Sequence, residues 1–493
     1  MNILLIYPKC PDSFWSFRHA LKFISKKAAV PPLGLITVSA MLPESWQKRL
    51  VDMNITTLAT NDILWADYVF ISAMYIQKGS VETIIGLCKK HHKKIVAGGP
   101  LFTQEYLNYP QVDHFILNEA EITLPPFIKD LHAGRPQKVY KSGQFADMTK
   151  TPVPDYHLLE RKKYAYMNIQ VSRGCPFDCS FCEITSLFGH KVRMKKPQQI
   201  IHEMEALFHL NWRGSVFIVD DNFIGNKNRV KLELLPVMKR WMTSHKFPFT
   251  FNTETSINLA DDVELMSLMV ETGFNSTFIG IETPEEQSLQ ACNKVQNKNR
   301  NLLESVQKIQ NAGLQVSGGF IVGFDSDSPS VFQRQIDFIQ QSGIVSAMVG
   351  LLNAPKNTKL YEQLQSENRI IQEATGNNTD SSMNFIPKMN YDELISGYKH
   401  IIDNIYKCKP YYKRLRRMLL NYNRNIKIPQ NVNISHVRGA LKSIFILGFL
   451  SKGRLEYWKF MIWTLLKRPG LVFDAITFTV LGYHYRTVFG IRR

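Results

Sequence analysis

The sequence predicts an α/β protein in three parts: a doubly wound parallel sheet over residues 1–132, a partial (β/α)6 TIM-like barrel over 164–388 behind a linker at 133–163, and a mostly helical, basic extension over 389–493. Three observations predict it. Short apolar runs alternate with helical stretches through the first 130 residues, six further apolar runs each precede a helical stretch between 168 and 352, and beyond 389 the strand pattern gives way to basic amphipathic segments. A chain of 493 residues also exceeds what a single hydrophobic core organises.

In the first part the strand candidates are 3–7, 50–53, 68–72, 94–97 and 114–117. Open parallel sheets bind ligands beyond the carboxyl ends of their strands, and here those ends carry Pro8, Ser72, Gly98-Gly99 and Glu119. Gly98 and Gly99 would let a bulky ligand approach the backbone closely, although a tight turn explains such a pair as often. From 132 to 163, Gly134, Pro136, Gly143, Pro152 and Pro154 interrupt every period, which reads as a linker. The six strand candidates that follow are 168–172, 215–219, 249–252, 276–281, 315–321 and 347–352. Barrels of this kind gather catalytic groups at the carboxyl ends of their strands. After the second to sixth strands stand Asp220-Asp221-Asn222, Glu254, Glu282, Gly318-Gly319 with Gly323, and Asn353.

The loop after the first barrel strand holds Arg173-Gly174-Cys175-Pro176-Phe177-Asp178-Cys179-Ser180-Phe181-Cys182, three of the seven cysteines in eight residues. The C-x3-C-x2-C spacing supplies three thiolates and no fourth. A cubane iron–sulfur cluster normally takes four, so Cys175, Cys179 and Cys182 would leave one iron open to a substrate. A structural zinc ion is the competing reading, but it needs a fourth ligand, and His190 is the one candidate nearby. Cys10, Cys88, Cys292 and Cys408 are scattered singly and read as inert thiols.

The cysteine run, with aromatic Phe181 before its last cysteine and after the first strand of a six-fold barrel, resembles the radical S-adenosylmethionine enzymes. The runs Val219-Asp220-Asp221-Asn222-Phe223, Phe278-Ile279-Gly280-Ile281-Glu282-Thr283 and Gly318-Gly319-Phe320-Ile321-Val322-Gly323-Phe324-Asp325 add to the likeness. The first part is similar to the flavodoxin-like, cobalamin-binding-type domain of the B12-dependent class, with Val30-Pro31-Pro32-Leu33-Gly34-Leu35 and Ala97-Gly98-Gly99-Pro100 among the similar stretches. The resemblance implies a [4Fe–4S] cluster on Cys175, Cys179 and Cys182, with S-adenosylmethionine chelating the fourth iron and yielding a 5′-deoxyadenosyl radical on one-electron reduction. It implies contacts to S-adenosylmethionine from Phe181, Glu254, Glu282, Gly318 and Gly319, and to cobalamin from Ser72, Gly98 and Gly99. An external one-electron reductant of the flavodoxin or ferredoxin type follows. The D-x-H-x-x-G motif that gives cobalt a histidine is absent, since Asp52-Met53-Asn54 has no histidine at its third place, so cobalamin is expected to bind without one. The implied reaction is C-methylation of an unactivated carbon. The alternatives are a non-methylating radical reaction with a degenerate B12 domain and, from another class, a non-catalytic metal-binding or membrane-interaction protein.

The net charge is +18, and residues 391–493 alone carry 19 Lys/Arg against 5 Asp/Glu, a surplus of 14. No apolar run there reaches the roughly 18 residues that span a bilayer. Basic amphipathic helices bind membrane surfaces or acidic partners, whereas a helical accessory domain with solvated Lys and Arg is the plainer reading. The tail also resembles the C-terminal extension of a subgroup that includes relatives of hopanoid-tailoring proteins, which implies a lipid or natural-product substrate and contact with the inner face of the membrane. Nucleic acid is disfavoured because no recognition motif accompanies the charge. With no signal-peptide layout and no cysteine framework, the chain reads as cytoplasmic.

Overall fold

The computed structural model describes residues 1–424 and 434–491; the parts of the extension at 425–433 and 492–493 lie outside the described residues. Asn2–Tyr7 (β1), Gln47–Asp52 (β2), Tyr68–Ser72 (β3), Lys94–Gly98 (β4), His114–Ile116 (β5) and Val139–Tyr140 (β6) form a parallel sheet in the order β2-β1-β3-β4-β5-β6. Side chains alternate across a strand, so Leu4 and Ile6 enter one core with Val81 and Ile84, while Ile3 and Leu5 enter another with Leu124 and Phe127. Two buried faces covered by helices are the doubly wound arrangement the sequence predicts. Strand β6 lies inside the stretch read as linker. Its Tyr140 hydroxyl donates to Asp130 Oδ2 at 2.9 Å and accepts from the Gln137 N–H at 2.8 Å, anchoring a strand too short to show a period.

Met167–Ile169 (β7) opens the second sheet, and the two-residue strands Ser172–Arg173 (β8) and Arg193–Met194 (β9) form a separate antiparallel pair. Gly214–Ile218 (β10), Phe249–Thr255 (β11), Phe274–Glu282 (β12), Gln315–Val322 (β13) and Ala347–Leu351 (β14) complete a parallel sheet ordered β14-β13-β12-β11-β10-β7. All six predicted strands are present, but 168–172 is not one strand. The buried Asp220 carboxylate accepts from the Val171 N–H at 2.7 Å and the Ser172 hydroxyl at 2.6 Å, which draws the chain out of the sheet after Ile169.

The barrel is open: β14 and β7 do not pair. Helices of the extension fill this gap. Tyr485, on the helix Val472–Val488, donates to Ser346 Oγ at 2.8 Å beside β14 and lies within electrostatic reach of Tyr166 beside β7. Tyr406 donates to the Ala347 carbonyl at 2.7 Å, and the fully buried Arg414 donates to the Ile405 carbonyl at 2.8 Å. One apolar core therefore runs from the barrel into the extension, including Met167, Ile218, Tyr406 and Tyr485.

The amino-terminal segment joins the same wall: Phe14 stacks on Tyr485 with ring centroids 4.3 Å apart, and His484 Nε2 contacts the Phe14 carbonyl at 3.0 Å. Burial pushes the His484 pKa down from 6.5 to about 4, a direction nearby His19 reinforces. The folded chain thus refuses a proton that the unfolded chain accepts below pH 6.5. Stability contributed by neutral His484 is complete above that value and is lost as pH falls toward about 4. Thermal unfolding of His484→Gln should show a flatter dependence on pH across this window than the parent chain, and parallel curves would refute the assignment.

Candidate active site

The cysteine loop runs from β8 at the carboxyl end of β7. Cys175, Cys179 and Cys182 form no disulfide and are half-buried. Burial raises all three thiol pKa values, Cys182 to about 12; Cys179 adds to the rise at Cys175 and, with Cys175, at Cys182. Among the described residues no three His, Cys, Asp or Glu side chains are grouped so as to hold one metal ion as they stand. A cubane differs, because it meets its thiolates at separate corners, and three free thiols with a counter-charge beside them suit it.

That counter-charge is Lys294, which sequence reasoning missed. Burial disfavours its ammonium, but Glu282 together with Cys179 and Cys182 outweighs burial and holds it protonated. Its Nζ lies 2.6 Å from Glu282 Oε1. The turn containing Lys294 clasps the cysteine loop: the Ser180 N–H donates to the Cys292 carbonyl at 3.0 Å, Asn293 Nδ2 to the Asp178 carbonyl at 2.9 Å, and Gln296 Nε2 to Cys179 Sγ at 3.7 Å. Nothing in the spacing of 292–297 signals this. Cys292 lies close enough to raise interaction with Cys179, yet its thiol is turned into the core, 3% exposed and donating to the Leu289 carbonyl at 3.6 Å.

The predicted residues gather at the strand ends. Glu282 closes β12 with φ of 63° at a break in register with β13, and the Glu282 and Lys294 side-chain ends lie close over Gly280, where a Cβ would stand 2.8 Å from Lys294 Nζ. Glu254, on β11, makes no side-chain hydrogen bond among the described residues. Burial, then Asp221 and Asp220, lifts its pKa to about 8; burial, then Asp220, lifts Asp221 to about 7; burial lifts Asp220 to about 6. Burial and mutual repulsion favour the protonated forms of these three carboxyls, which present oxygen acceptors to hydroxyl or ammonium donors. Phe181 packs edge-on to Phe324, centroids 6.2 Å apart. Gly318 and Gly319 have a packing reason of their own: a Cβ at Gly318 would lie 2.9 Å from the Phe320 ring, and one at Gly319 would lie 2.8 Å from the Phe278 ring. A cavity of ≈ 330 Å³ opens beside the loop, against Pro176, Phe177, Asn222 and Lys227.

Ser72, Gly98 and Gly99 also come together. Gly99 has φ of 90°, and a Cβ there would stand 2.7 Å from Ser72 Oγ; one at Gly98 would stand 2.7 Å from the Ile116 carbonyl. Close approach of β3, β4 and β5 therefore requires both glycines. The face carrying them is tied to the cysteine loop by a buried knot of four charges. Glu119, just after β5, meets Arg193 at 2.7 Å and Arg173 at 3.0 Å, and Arg173 meets Glu121 at 2.8 Å. Arg173 stands two residues before Cys175, so this knot joins the carboxyl ends of the first sheet to the cluster loop. Sequence reasoning had Glu119 at a strand end and Arg173 in the motif, but no signal paired them.

A profile of the radical SAM superfamily matches residues 169–339, and one for a domain of unknown function matches 358–493. Over 98% of its length the chain is 39% identical to an uncharacterized methyltransferase of Synechocystis sp., covering 91% of that protein. Over the same share it is 32% identical to the hopanoid C-2 methylase of Rhodopseudomonas palustris, covering 92% of it. Of solved structures, the cobalamin-dependent S-adenosylmethionine radical enzyme OxsB is similar at a TM-score of 0.65 and 15% identity over 99% of this chain and 79% of that one. The radical S-adenosylmethionine methyltransferase TsrM from Kitasatospora setae is similar at 0.60 and 14% over 93% and 98%. The barrel profile, two relatives above 30% identity along nearly the whole chain, and the shared sheet-and-barrel fold agree with the cysteine loop and its setting: the chain is an enzyme of the radical S-adenosylmethionine superfamily, in one family with these two methyltransferases and with the fold of the cobalamin-dependent enzymes.

Proposed function

We propose that the enzyme methylates an unactivated carbon of a lipid or related natural product. The observation that carries this reading is the knot of Glu119, Arg173, Glu121 and Arg193, which holds the carboxyl ends of the first sheet against the cysteine loop. A [4Fe–4S] cluster with S-adenosylmethionine and cobalamin supply hydrogen abstraction and methyl transfer when bound; the protein's work is to hold them near one substrate and away from water.

In this reading Cys175, Cys179 and Cys182 hold the cluster, and Lys294 offsets its negative charge. Phe181, Glu254, Glu282, Gly318 and Gly319 receive S-adenosylmethionine, with the Glu254 carboxyl accepting from hydroxyl or ammonium hydrogens. Ser72, Gly98 and Gly99 border the cobalamin, in a first domain over 1–132 whose sheet takes its edge strand β6 from the segment 133–163, ahead of the barrel at 164–388 and the extension at 389–493. The lipid class is supported by the apolar pair of Trp15, an exposed residue of the amino-terminal segment, and Phe278 on β12, which meet edge-on at 5.2 Å, and by the name of the hopanoid relative. The cysteine loop reaches the surface at Asp178, paired with Lys359 and 3.8 Å from His190, a place where an acidic flavodoxin- or ferredoxin-type reductant could deliver its electron. Peripheral contact of the basic extension with the membrane would bring a cytoplasmic enzyme to its substrate.

The test is anaerobic reconstitution with iron, sulfide and cobalamin, followed by reductant, bacterial lipid extract and S-adenosylmethionine bearing a trideuterated methyl group. We expect 5′-deoxyadenosine together with label in a lipid product. If 5′-deoxyadenosine forms while no extract acquires the label, the methylation reading fails in favour of another radical reaction.

A further inference from the structure

We infer that the two helices spanning residues 434–467 form an interfacial hairpin that seats on an anionic lipid bilayer. Ile434–Ser443 runs on through the wider turns of Ile444–Leu450, and Arg454–Lys467 returns alongside it. The inner faces are accounted for: a Cβ on Gly439 would lie 3.0 Å from Ile24 Cγ2, Trp458 Nε1 donates to the Gly448 carbonyl at 2.9 Å, and Tyr457 and Phe460 are buried. The outer face is not. Val437, Leu441, Phe445 and Phe449 recur every four residues and are all exposed, as are Leu455, Ile462 and Leu466 on the second helix, the last at 75%. A contiguous apolar face of this kind marks an interaction surface.

Charge selects the occupant. Residues 434–468 carry seven Lys/Arg and a single acid, Glu456, which Lys459 already pairs at 3.1 Å. Lys442, Lys452 and Arg454 flank the apolar stripe. A second copy of this chain would bring two basic faces together, at a repulsive cost, whereas an anionic bilayer accepts the apolar side chains and attracts the flanking charges. Neither helix spans the membrane, since among the described residues no helix is long and apolar enough to cross one. The hairpin therefore lies along the surface. Its helix Ile434–Ser443 packs on Lys22–Ile24, part of the amino-terminal segment that also sends Trp15 against Phe278 in the barrel. The inference rests on the lipid-substrate reading for its purpose, but its test does not.

Flotation of the reconstituted full chain with vesicles of phosphatidylcholine and phosphatidylglycerol should show binding at low salt that weakens as salt rises and is much weaker on phosphatidylcholine alone. Leu441→Ser/Phe445→Ser should lower partitioning about tenfold or more, and neutralising Lys452 and Arg454 to Gln should lower it about fivefold for each charge. Unchanged circular dichroism would show that these exposed changes leave the fold intact. The inference is overturned if the parent chain does not float with anionic vesicles, if the variants float as well as it does, or if sedimentation without lipid shows a dimer that Leu441→Ser/Phe445→Ser dissolves. Formation of 5′-deoxyadenosine, measured in the same preparations, should be equal in parent and variants. Its presence without flotation would end this inference and spare the enzyme reading, and flotation without it would do the reverse.

Discussion

Cys182→Ala is expected to reduce both cluster content and cleavage of S-adenosylmethionine to background, while Cys292→Ala keeps both. Cys182 is one of three half-buried thiols, and its pKa reaches about 12, with burial the main cause and Cys179 and Cys175 adding to it. Assembly of a cluster must remove those protons, and the iron itself provides the drive, as metal sites generally couple binding to deprotonation. No fourth thiol can substitute if one is lost. Cys292, the nearest other cysteine, is 3% exposed, donates to the Leu289 carbonyl and packs in the barrel core. Removing its sulfur leaves a small cavity and a cost of about 1 kcal/mol. Iron and sulfide analysis with 5′-deoxyadenosine formation checks the pair of variants. If Cys292→Ala loses its cluster, Cys292 is a fourth thiolate, the open iron disappears, and the reading built on three thiolates fails with it.

The contrast between those cysteines shows what a sequence can convey about this site. Local spacing carries the ligand set because three thiolates must come from one short loop to reach one cluster. Strand periodicity likewise carries the twelve-strand plan of the two sheets, apart from β6, whose two residues are too few to show a period. What the sequence does not convey is contact between distant segments. Lys294 and Gln296 lie more than a hundred residues from Cys179, and the turn that brings them there is held by one backbone bond and by the side-chain amides of Asn293 and Gln296, which no local spacing marks. Gly318 and Gly319 show the opposite difficulty. Their presence was legible, but glycine serves ligand approach and aromatic packing alike, and the rings of Phe278 and Phe320 beside them account for both. The early end of β7 was hidden for a similar reason, since Val171 and Ser172 continue an apolar pattern that Asp220, 48 residues beyond Ser172, overrides with two hydrogen bonds.

The largest stability effect is expected from Glu119→Gln. Glu119, Glu121, Arg173 and Arg193 are nearly sealed from solvent, with side-chain exposures of 2%, 8%, 11% and 14%. Two carboxylates face two guanidiniums, so the knot is neutral as a whole. Burial opposes ionisation of Glu121, but Arg173 outweighs it and holds that carboxyl below its ordinary range. Arg193 has Glu119 as its acid partner and otherwise donates to the Ala146 and Phe188 carbonyls. Neutralising Glu119 strands one buried positive charge, and breaking such a pair from one side costs about 3–5 kcal/mol. An exposed pair gives the comparison: Glu160→Gln, which releases Lys163 at the surface, should cost under about 1 kcal/mol. Because a chain of several domains does not unfold in one step, the effect is best read locally, as lost amide-exchange protection in 114–121 and 172–194. Arg193→Met added to Glu119→Gln should recover part of the loss by removing the stranded charge. The same knot positions Arg173 at the start of the cysteine loop, so Glu119→Gln should also retain less cluster after gel filtration than Glu160→Gln. Equal protection and equal iron content in the two variants would mean that the first sheet and the cluster loop are held together by something other than these charges.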